Sequence, residues 1–287
     1  MNLAQSTLYT CPVCQHPLSQ MGRTLTCALG HSFDLSTEGY VNLLLANQKK
    51  SLEPGDSVDM VKARHSFLSK GYYDTLAQSV CQLVDKYHHL HKGTTQPSLL
   101  DAGCGEGYYS DFLARHAFSQ GAYWGIDMSK PAIQRAAKRN HSIQWCVGNI
   151  FSLPYQNAQF QTLISIFSPI CASEFHRVLV SGGIIILVSA GELHLHALAQ
   201  VIYEQVRPHQ GNDAVLAELP QFKQLESRRI TQSLQLTHTA DILALFQMTP
   251  YYWHAPLNKR QHVEHLESLT TSIDFRISVF QAITPKE

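Results

Sequence analysis

Apolar and polar positions alternate between strand-like and helix-like spacing through the second half of the chain. Helical periodicity fills the segments between short apolar runs, which suit buried strands and lie at 98–102, 122–127, 143–147, 160–167 and 184–189. Strands that alternate with helices form a largely parallel sheet covered on both faces. The pattern therefore predicts an α/β fold with a doubly wound sheet.

The flanking segments extend this prediction. Residues 58–90 have helical spacing interrupted at 70–73, which predicts one or two helices before the first strand. Beyond residue 191, the pattern predicts a helix over 193–206, an alternating stretch near 228–236 and a helix over 241–248 that ends before Pro250. A last strand over 272–283 would complete a seven-stranded sheet.

Three glycines follow the first predicted strand at alternate positions. The strand 98–102 contains Asp101 and leads into Gly103, Gly105 and Gly107, after which a helix begins near Tyr108. Glycine has no Cβ and permits positive φ, so backbone in such a turn can approach a ligand closely. In open parallel sheets, a nucleotide-like ligand binds at this strand-to-helix turn.

The acids near this turn decide between two kinds of ligand. A dinucleotide fingerprint requires G-x-G-x-x-G, but Tyr108 occupies the third glycine position. Asp101 and Glu106 suit a cation better than a pyrophosphate, and S-adenosylmethionine (SAM) carries an amino group and a sulfonium. Asp127 ends the second strand twenty residues after Gly107 and suits the ribose hydroxyls of an adenosine. The sequence therefore predicts a SAM site.

The N-terminal segment carries a second candidate site. Cys11, Cys14, Cys27 and His31 form the pattern C-x2-C-x12-C-x3-H, in which a hairpin would bring two chelating pairs together. Thiolates and imidazole are the ligands that zinc prefers, and four of them make a closed structural site. A redox C-x-x-C would leave Cys27 and His31 unexplained, and His16 is a less suitable fourth ligand because it follows Cys14 too closely.

Composition narrows the class of protein. The 287 residues, 44% of them hydrophobic, suffice for one large domain with an appendage, and a turn at Pro54-Gly55 suggests the boundary between them. The formal net charge is zero, so charge neither requires nor excludes a nucleic acid. No apolar run reaches membrane-spanning length and no secretory signal precedes Thr10, which favours an intracellular, cytoplasmic protein without a membrane partner.

Six short strings together resemble the RlmA family, the bacterial 23S rRNA guanine-N1 methyltransferases. The strings are C-P-V-C-Q-H-P-L from Cys11, G-H-S-F-D from Gly30, E-G-Y-V-N-L-L from Glu38, P-G-D-S from Pro54, G-C-G-E-G-Y-Y from Gly103 and Q-M-T-P-Y-Y-W from Gln247. The resemblance implies a class I SAM-dependent methyltransferase with a Rossmann-like seven-stranded sheet, a substrate guanine in a hairpin of domain II of 23S rRNA, and a homodimer. It also implies a zinc-binding RNA-recognition module over residues 1–50 and a methyltransferase domain over 51–287.

The resemblance also assigns residues to both sites. It gives the zinc ligands as the four residues of the N-terminal pattern. The SAM contacts that it implies are Tyr73, Gly105, Glu106, Asp127 and His194, with His196 as the rival alignment for the last. The turn itself adds Asp101, Gly103 and Gly107, and Asn149, which replaces an acid often seen after the third strand, could bond to the adenine edge.

The catalytic group is not identified by the sequence. Guanine N1 carries a proton at neutral pH and must lose it during attack, so a nearby base would help. Phe167-Ser168-Pro169 lacks the acid or amide of amino-group methyltransferases, which favours a ring nitrogen as acceptor. Phe167 either stacks on the target base or belongs to the core. The alternatives are methylation of another RNA or of a small molecule, and an inactive SAM-fold adaptor that binds RNA.

Overall fold

The computed structural model describes residues 5–49, 54–88, 97–117, 121–209, 211 and 214–283. The first element is a small antiparallel sheet with its strands in sequence order. Its strands are β1 (Gln5–Thr10), β2 (Pro17–Met21), β3 (Thr24–Cys27) and β4 (Ser32–Asp34).

A second, larger sheet forms the centre of the molecule. Its strands are β5 (Val41–Asn42), β6 (Ser98–Ala102), β7 (Ala122–Asp127), β8 (Gln144–Val147), β9 (Phe160–Ile166), β10 (Leu179–Ala190), β11 (Phe222–Leu236) and β12 (Leu269–Ala282). The order is β11-β12-β10-β9-β6-β7-β8-β5, in which β12 is antiparallel to both β11 and β10 and the other neighbouring strands are parallel. The sheet thus has eight strands in the described chain, and the prediction of seven omitted β5. Two residues are too few for a recognisable sequence pattern.

Helices cover both faces of this sheet. They are α1 (Val58–Leu68), α2 (Asp74–His88), α3 (Tyr108–His116), α4 (Lys130–Arg139), α5 (Ala172–Val178), α6 (His196–Ile202), α7 (Ala214–Ala217), α8 (Thr239–Gln247), α9 (Pro250–His254) and α10 (Leu257–Glu264). Ser57 and Ser129 cap α1 and α4 by accepting hydrogen bonds from Met60 N and Ala132 N. The helix predicted over 193–206 is shorter, because residues 191–195 form a loop that bonds to β12.

The strand sequences explain why the sheet is buried on both faces. All five residues of β6 are buried, and alternate side chains enter two different hydrophobic clusters. Leu99 belongs to one cluster and Leu100 to the other, and Ile184 and Ile185 of β10 divide in the same way. Central strands of this sheet therefore need a continuous apolar run, because both of their faces are buried.

Two sets of contacts join the N-terminal sheet to the rest of the molecule. The rings of Tyr9 and Tyr155 stack with centroids 5.2 Å apart, and Thr10 N donates to Pro154 O at 3.0 Å. Further along the same segment, Val41 and Asn42 pair in parallel with β8. No helix in the described part of the chain combines the length and apolar character needed to cross a membrane.

Candidate SAM site and zinc centre

The turn between β6 and α3 depends on glycine backbone. Gly103, Gly105 and Gly107 have φ of +87°, +55° and +80°, in the region that side chains disfavour. A Cβ on Gly103 would lie 2.0 Å from Oγ of Ser168, so this position also needs glycine for space. The turn thereby presents its backbone at the carboxyl end of β6.

A cavity of about 780 Å³ opens beside this turn. Eight of the nine residues predicted to bind SAM line it: Tyr73, Asp101, Gly103, Gly105, Glu106, Asp127, Asn149 and His194. The ninth, Gly107, lies behind it, where an added Cβ would come within 2.8 Å of the Trp145 ring and 2.9 Å of Ala136 Cβ. The structure therefore gives Gly107 a packing role between α3 and α4 and no place on the cavity wall.

Asp101 and Glu106 are buried acids with one oxygen each in use. Ser110 Oγ donates to Oδ2 of Asp101 at 2.5 Å, while Arg139 donates to Oε2 of Glu106 at 2.6 Å. Among the residues that the structure describes, Oδ1 of Asp101 and Oε1 of Glu106 have no hydrogen-bond partner. Burial raises the pKa of Asp101 to about 7. Unpaired buried oxygens in two acids that line the cavity suit a cationic ligand such as an ammonium.

Asp127, at the end of β7, is hydrogen-bonded to the backbone of the glycine turn. Its Oδ2 accepts from Gly105 N at 3.0 Å and its Oδ1 from Ser129 N at 2.8 Å. Burial raises the pKa of this carboxyl, against the effect of these two backbone donors. Each carboxylate oxygen has a second lone pair, so both remain able to accept from a pair of hydroxyls.

Asn149 lies on the wall next to the end of β8. Its Oδ1 accepts from Phe151 N at 2.9 Å, which fixes the orientation of the amide. The side-chain NH2 is then the group with which it could bond to an adenine edge.

His194 belongs to a group of aromatic rings in the cavity wall. Its ring centroid lies 6.0 Å from that of Phe167, 6.3 Å from Tyr73 and 5.1 Å from Phe275. Burial lowers the pKa of His194 to about 3, so the ring is neutral. Its Nδ1 accepts from Asp274 N at 3.3 Å, and its proton therefore lies on Nε2. The rival residue, His196, does not line the cavity.

Phe167 ends β9 in an unusual conformation. Its φ is +53°, which is uncommon for a residue with a bulky side chain, and the ring is 44% exposed at the cavity. Such strained backbone clusters at functional sites. An exposed aromatic ring beside the glycine turn is a suitable surface for a planar ligand.

Sequence reasoning did not single out five other residues of the cavity wall: Asp56, Arg64, Tyr109, His209 and Tyr251. Arg64 and Asp56 form an ion pair, and Arg64 also donates to Met248 O at 3.2 Å. Tyr109 Oη is buried without a partner among the described residues. Asp56 and Tyr251 lie in the strings P-G-D-S and Q-M-T-P-Y-Y-W, so the family resemblance could have indicated them. No sequence pattern indicated His209.

The N-terminal sheet brings the four predicted metal ligands together. The ligand atoms of Cys11, Cys14, Cys27 and His31 all lie within 4.8 Å of one another. The sulfur atoms of Cys14 and Cys27 are 3.6 Å apart, and Cys27 Sγ lies 3.4 Å from His31 Nδ1. Zinc bonds of about 2.3 Å to sulfur and 2.0 Å to nitrogen place tetrahedral ligand atoms roughly 3.5–3.8 Å apart. The donor set and its spacing therefore fit a zinc ion.

Tight turns hold these ligands in place. Gln15 N donates to Cys11 O at 2.8 Å, and Gly30 N donates to Cys27 O at 3.0 Å, so each chelating pair has its own turn. The His16 side chain is exposed and its Nδ1 contacts Cys14 O, outside the cluster.

Comparison with known proteins supports both sites. A family model described as "RlmA, N-terminal" matches residues 9–52, and one described as "Methyltransferase domain" matches residues 94–238. The chain is 31% identical to a Streptomyces fradiae 23S rRNA (guanine(748)-N(1))-methyltransferase over 85% of each chain. It is 30% identical to the Bacillus subtilis (strain 168) protein YxjB, assigned provisionally as a 23S rRNA (guanine-N(1)-)-methyltransferase, over 95% of this chain and 96% of the relative.

The chain belongs to the 23S rRNA (guanine-N1)-methyltransferase family. A third member, a Micromonospora griseorubida protein with the same provisional assignment, is 31% identical over 95% of this chain and 97% of its own length. The fold is that of a class I SAM-dependent methyltransferase with a zinc ribbon, so SAM is the cofactor and zinc the metal. The unpaired acids of the cavity and the Cys3His cluster give these two assignments a physical basis.

Proposed function

We propose that the protein transfers the methyl group of SAM to N1 of a guanine in 23S rRNA. The observation that carries this proposal is the 31% identity to a guanine(748)-N1 methyltransferase over 85% of both chains. The cavity supports it independently, because the same cavity contains acids suited to a cationic donor and an exposed aromatic ring suited to a base.

The cofactor residues divide according to the parts of SAM. We assign Oδ1 of Asp101 and Oε1 of Glu106 to the amino group, since both oxygens are buried and unpaired within the described structure. Asp127 is assigned to the ribose hydroxyls and Asn149 to the adenine edge. In this arrangement the acids that hold the charge belong to the end of β6 and its turn, and the acid that holds the sugar ends β7.

The remaining predicted residues shape the cavity around these contacts. Gly103 and Gly105 let backbone approach the cofactor, because neither has a Cβ at its positive φ. Tyr73 and His194 also line the cavity, with ring centroids 6.3 Å apart. The neutral His194 ring can donate from Nε2 to the cofactor carboxylate or to the substrate base.

The transfer needs alignment more than covalent help from the protein. When bound, SAM supplies a methyl group already activated on a sulfonium. Phe167 would stack on the guanine and hold N1 in line with that methyl group, while the buried walls exclude water. Gly103 permits this approach because Ser168, next to Phe167, occupies the space that a Cβ would need.

The zinc ribbon supplies the second part of the proposal. We infer that residues 1–50 recognise the RNA, a hairpin in domain II, and that residues 51–287 form the methyltransferase domain. Contacts of Tyr9 and Thr10 with residues 154 and 155 support a fixed orientation of this module. We further propose a homodimer, and a cytoplasmic location because ribosomal RNA is the substrate.

The test uses purified protein, labelled SAM and unmodified 23S rRNA. A methyl group on N1 blocks Watson–Crick pairing, so reverse transcription should stop at one guanine of domain II after the reaction. The Asp127→Asn variant, which weakens the ribose contact, serves as the matched control and should give a much weaker stop. Methylation of another RNA or of a small molecule instead, or SAM binding without any methyl transfer, would refute the proposal.

A further inference from the structure

The proposed reaction must remove a proton from guanine N1, and most titratable groups of the cavity are unsuited to accept it. Asp101, Glu106 and Asp127 line the side assigned to the cofactor. His194 lies on the acceptor side, but its Nδ1 already accepts the Asp274 N–H and its Nε2 carries the proton. In this tautomer His194 donates and does not accept.

A second histidine on the same wall has the opposite arrangement. The Tyr251 hydroxyl lies 2.8 Å from Nε2 of His209. Burial lowers the pKa of His209, and a hydrogen bond to the His194 backbone opposes this shift, as an accepting carbonyl does. With its proton on Nδ1, His209 holds a lone pair on Nε2 and accepts the hydrogen bond from the Tyr251 hydroxyl there.

This pair borders the proposed acceptor site. His209 and Tyr251 both line the cavity that contains Phe167. The His194 ring is a neighbour of both, with its centroid 6.0 Å from that of Phe167 and 6.1 Å from that of His209. Tyr251 is thus part of the cavity wall, and its hydroxyl is hydrogen-bonded to His209.

We propose that Tyr251 and His209 form a proton relay that accepts the N1 proton of the target guanine. The inference rests on the proposed function, because an acceptor atom that carries no proton would need no such relay. Tyr251 contacts the base and His209 is the terminal acceptor.

The transfer balances without a further reactant. The N1–H bond breaks and its proton moves to Oη of Tyr251, whose own proton moves to Nε2 of His209. The N1 electron pair forms the bond to the methyl carbon, and the sulfur–methyl electron pair returns to sulfur. The products are a neutral thioether, a neutral N1-methylguanine and a His209 imidazolium, which releases its proton to solvent.

The surroundings of the pair keep the imidazole neutral and the phenol protonated, which are the states from which the relay starts. Burial lowers the pKa of His209 below its usual range, so the ring is neutral at neutral pH and has one nitrogen able to accept a proton. Burial beside Tyr203 raises the pKa of Tyr251 to about 12, so the phenol passes a proton on and does not ionise. The other titratable groups that act on the pair are His194 and Asp274 near His209, and Tyr73 near Tyr251.

The test compares Tyr251→Phe and His209→Gln with the wild-type protein in single-turnover methylation of a 23S rRNA transcript. Each variant should slow methyl transfer roughly 100-fold at neutral pH, the lower range for a general base. The loss should shrink as the pH rises, because a guanine that ionises by itself needs no base. SAM affinity, measured by titration, should stay unchanged and shows that each variant is folded.

Tyr203→Phe is the matched control, since Tyr203 packs against Tyr251 with ring centroids 5.9 Å apart but does not line the cavity. It should methylate at the wild-type rate. A wild-type rate in either relay variant, or a loss that is equal at all pH values, would overturn the relay while N1 methylation by the wild type stands. A wild-type product methylated at another atom would overturn the proposed function and the relay together.

Discussion

Replacement of Asp101 by asparagine should move protein stability and SAM affinity in opposite directions. Asparagine has nearly the same shape, and its Oδ1 can accept the Ser110 hydrogen bond in place of the carboxylate. It carries no charge to bury in a side chain that is 1% exposed. It also cannot neutralise an ammonium group.

The magnitude follows from the pKa of the buried carboxyl. Its rise from 3.8 to about 7 corresponds to roughly 4 kcal/mol for ionising the group inside the folded protein. Because the folded-state pKa lies above the unfolded one, the unfolding free energy of the cofactor-free protein falls as the pH rises from 3.8 to about 7. Asp101→Asn removes this loss but buries an amide NH2 that has no partner among the described residues, which costs about 1–3 kcal/mol. The cofactor-free protein should therefore be stabilised at neutral pH by roughly 1–3 kcal/mol, or about 2 °C or more in Tm.

SAM binding should show the reverse. A hydrogen bond to a charged group contributes about 1.5–3 kcal/mol, so the variant should bind SAM roughly 10- to 100-fold more weakly. Binding to the wild type requires ionised Asp101, and the affinity should therefore fall by up to about tenfold per pH unit below pH 7, with Asp127 adding to the effect. The variant should lose most of this pH dependence.

Thermal unfolding without SAM and calorimetric titration with SAM, both across acidic to neutral pH, measure these two effects. Asp59→Asn is the matched control, because Asp59 is exposed on α1 and pairs only with Lys62 among the described residues. It should change neither quantity. A destabilised Asp101→Asn protein, or one that binds SAM as tightly as the wild type, would refute the assignment of Asp101 to the amino group.

Three further predictions concern the metal, the turn and the acceptor. Cys27→Ser should lower the zinc content, measured by metal analysis, and should destabilise the N-terminal sheet, because a structural zinc site contributes directly to folding. Gly103→Ala should abolish methylation and weaken SAM binding by calorimetry, since its Cβ would meet Ser168 Oγ at 2.0 Å. Phe167→Ala should raise the KM for RNA roughly 10-fold, as loss of one stacked base implies, with unchanged SAM affinity.

Each of these three predictions has a control variant or a result that would contradict it. Gly22→Ala has a similar positive φ of +61° but open space at the Cβ, so it isolates backbone strain from the steric clash. Cys171→Ser tests whether any cysteine change has the effect expected at Cys27, since Cys171 lies outside the cluster. Phe167→Leu should recover little of the RNA affinity if stacking is the interaction, and full recovery would point to packing alone.

Most of the fold could be predicted from the sequence, because the main helices and strands have clear hydrophobic periodicity. Buried parallel strands such as Ile184–Val188 are continuous apolar runs, and helices such as α4 begin at recognisable caps. The metal ligands were equally predictable, because chelating pairs are local in sequence. Gly107 was assigned to the cofactor by the same reasoning, and its packing against Trp145 depends on a strand that lies far away in the sequence.

Other parts of the site arise only from tertiary contacts. His209 lies in a loop without periodicity, and its role depends on a hydroxyl 42 residues away. Arg64 reaches the glycine turn from α1, and its partner Asp56 lies in a segment that reads as a turn or linker. Sequence patterns describe neighbours along the chain, whereas these pairs are neighbours only after the sheet has formed.

The two residues of β5 have a consequence for how the molecule can be divided. They lie in the N-terminal segment, yet Val41 and Asn42 hydrogen-bond along the edge of β8. A protein cut after residue 50 would expose that edge and the apolar groups that Val41 and Leu43 now cover. Such a fragment should self-associate, so the ribbon also protects the methyltransferase sheet from pairing with other chains.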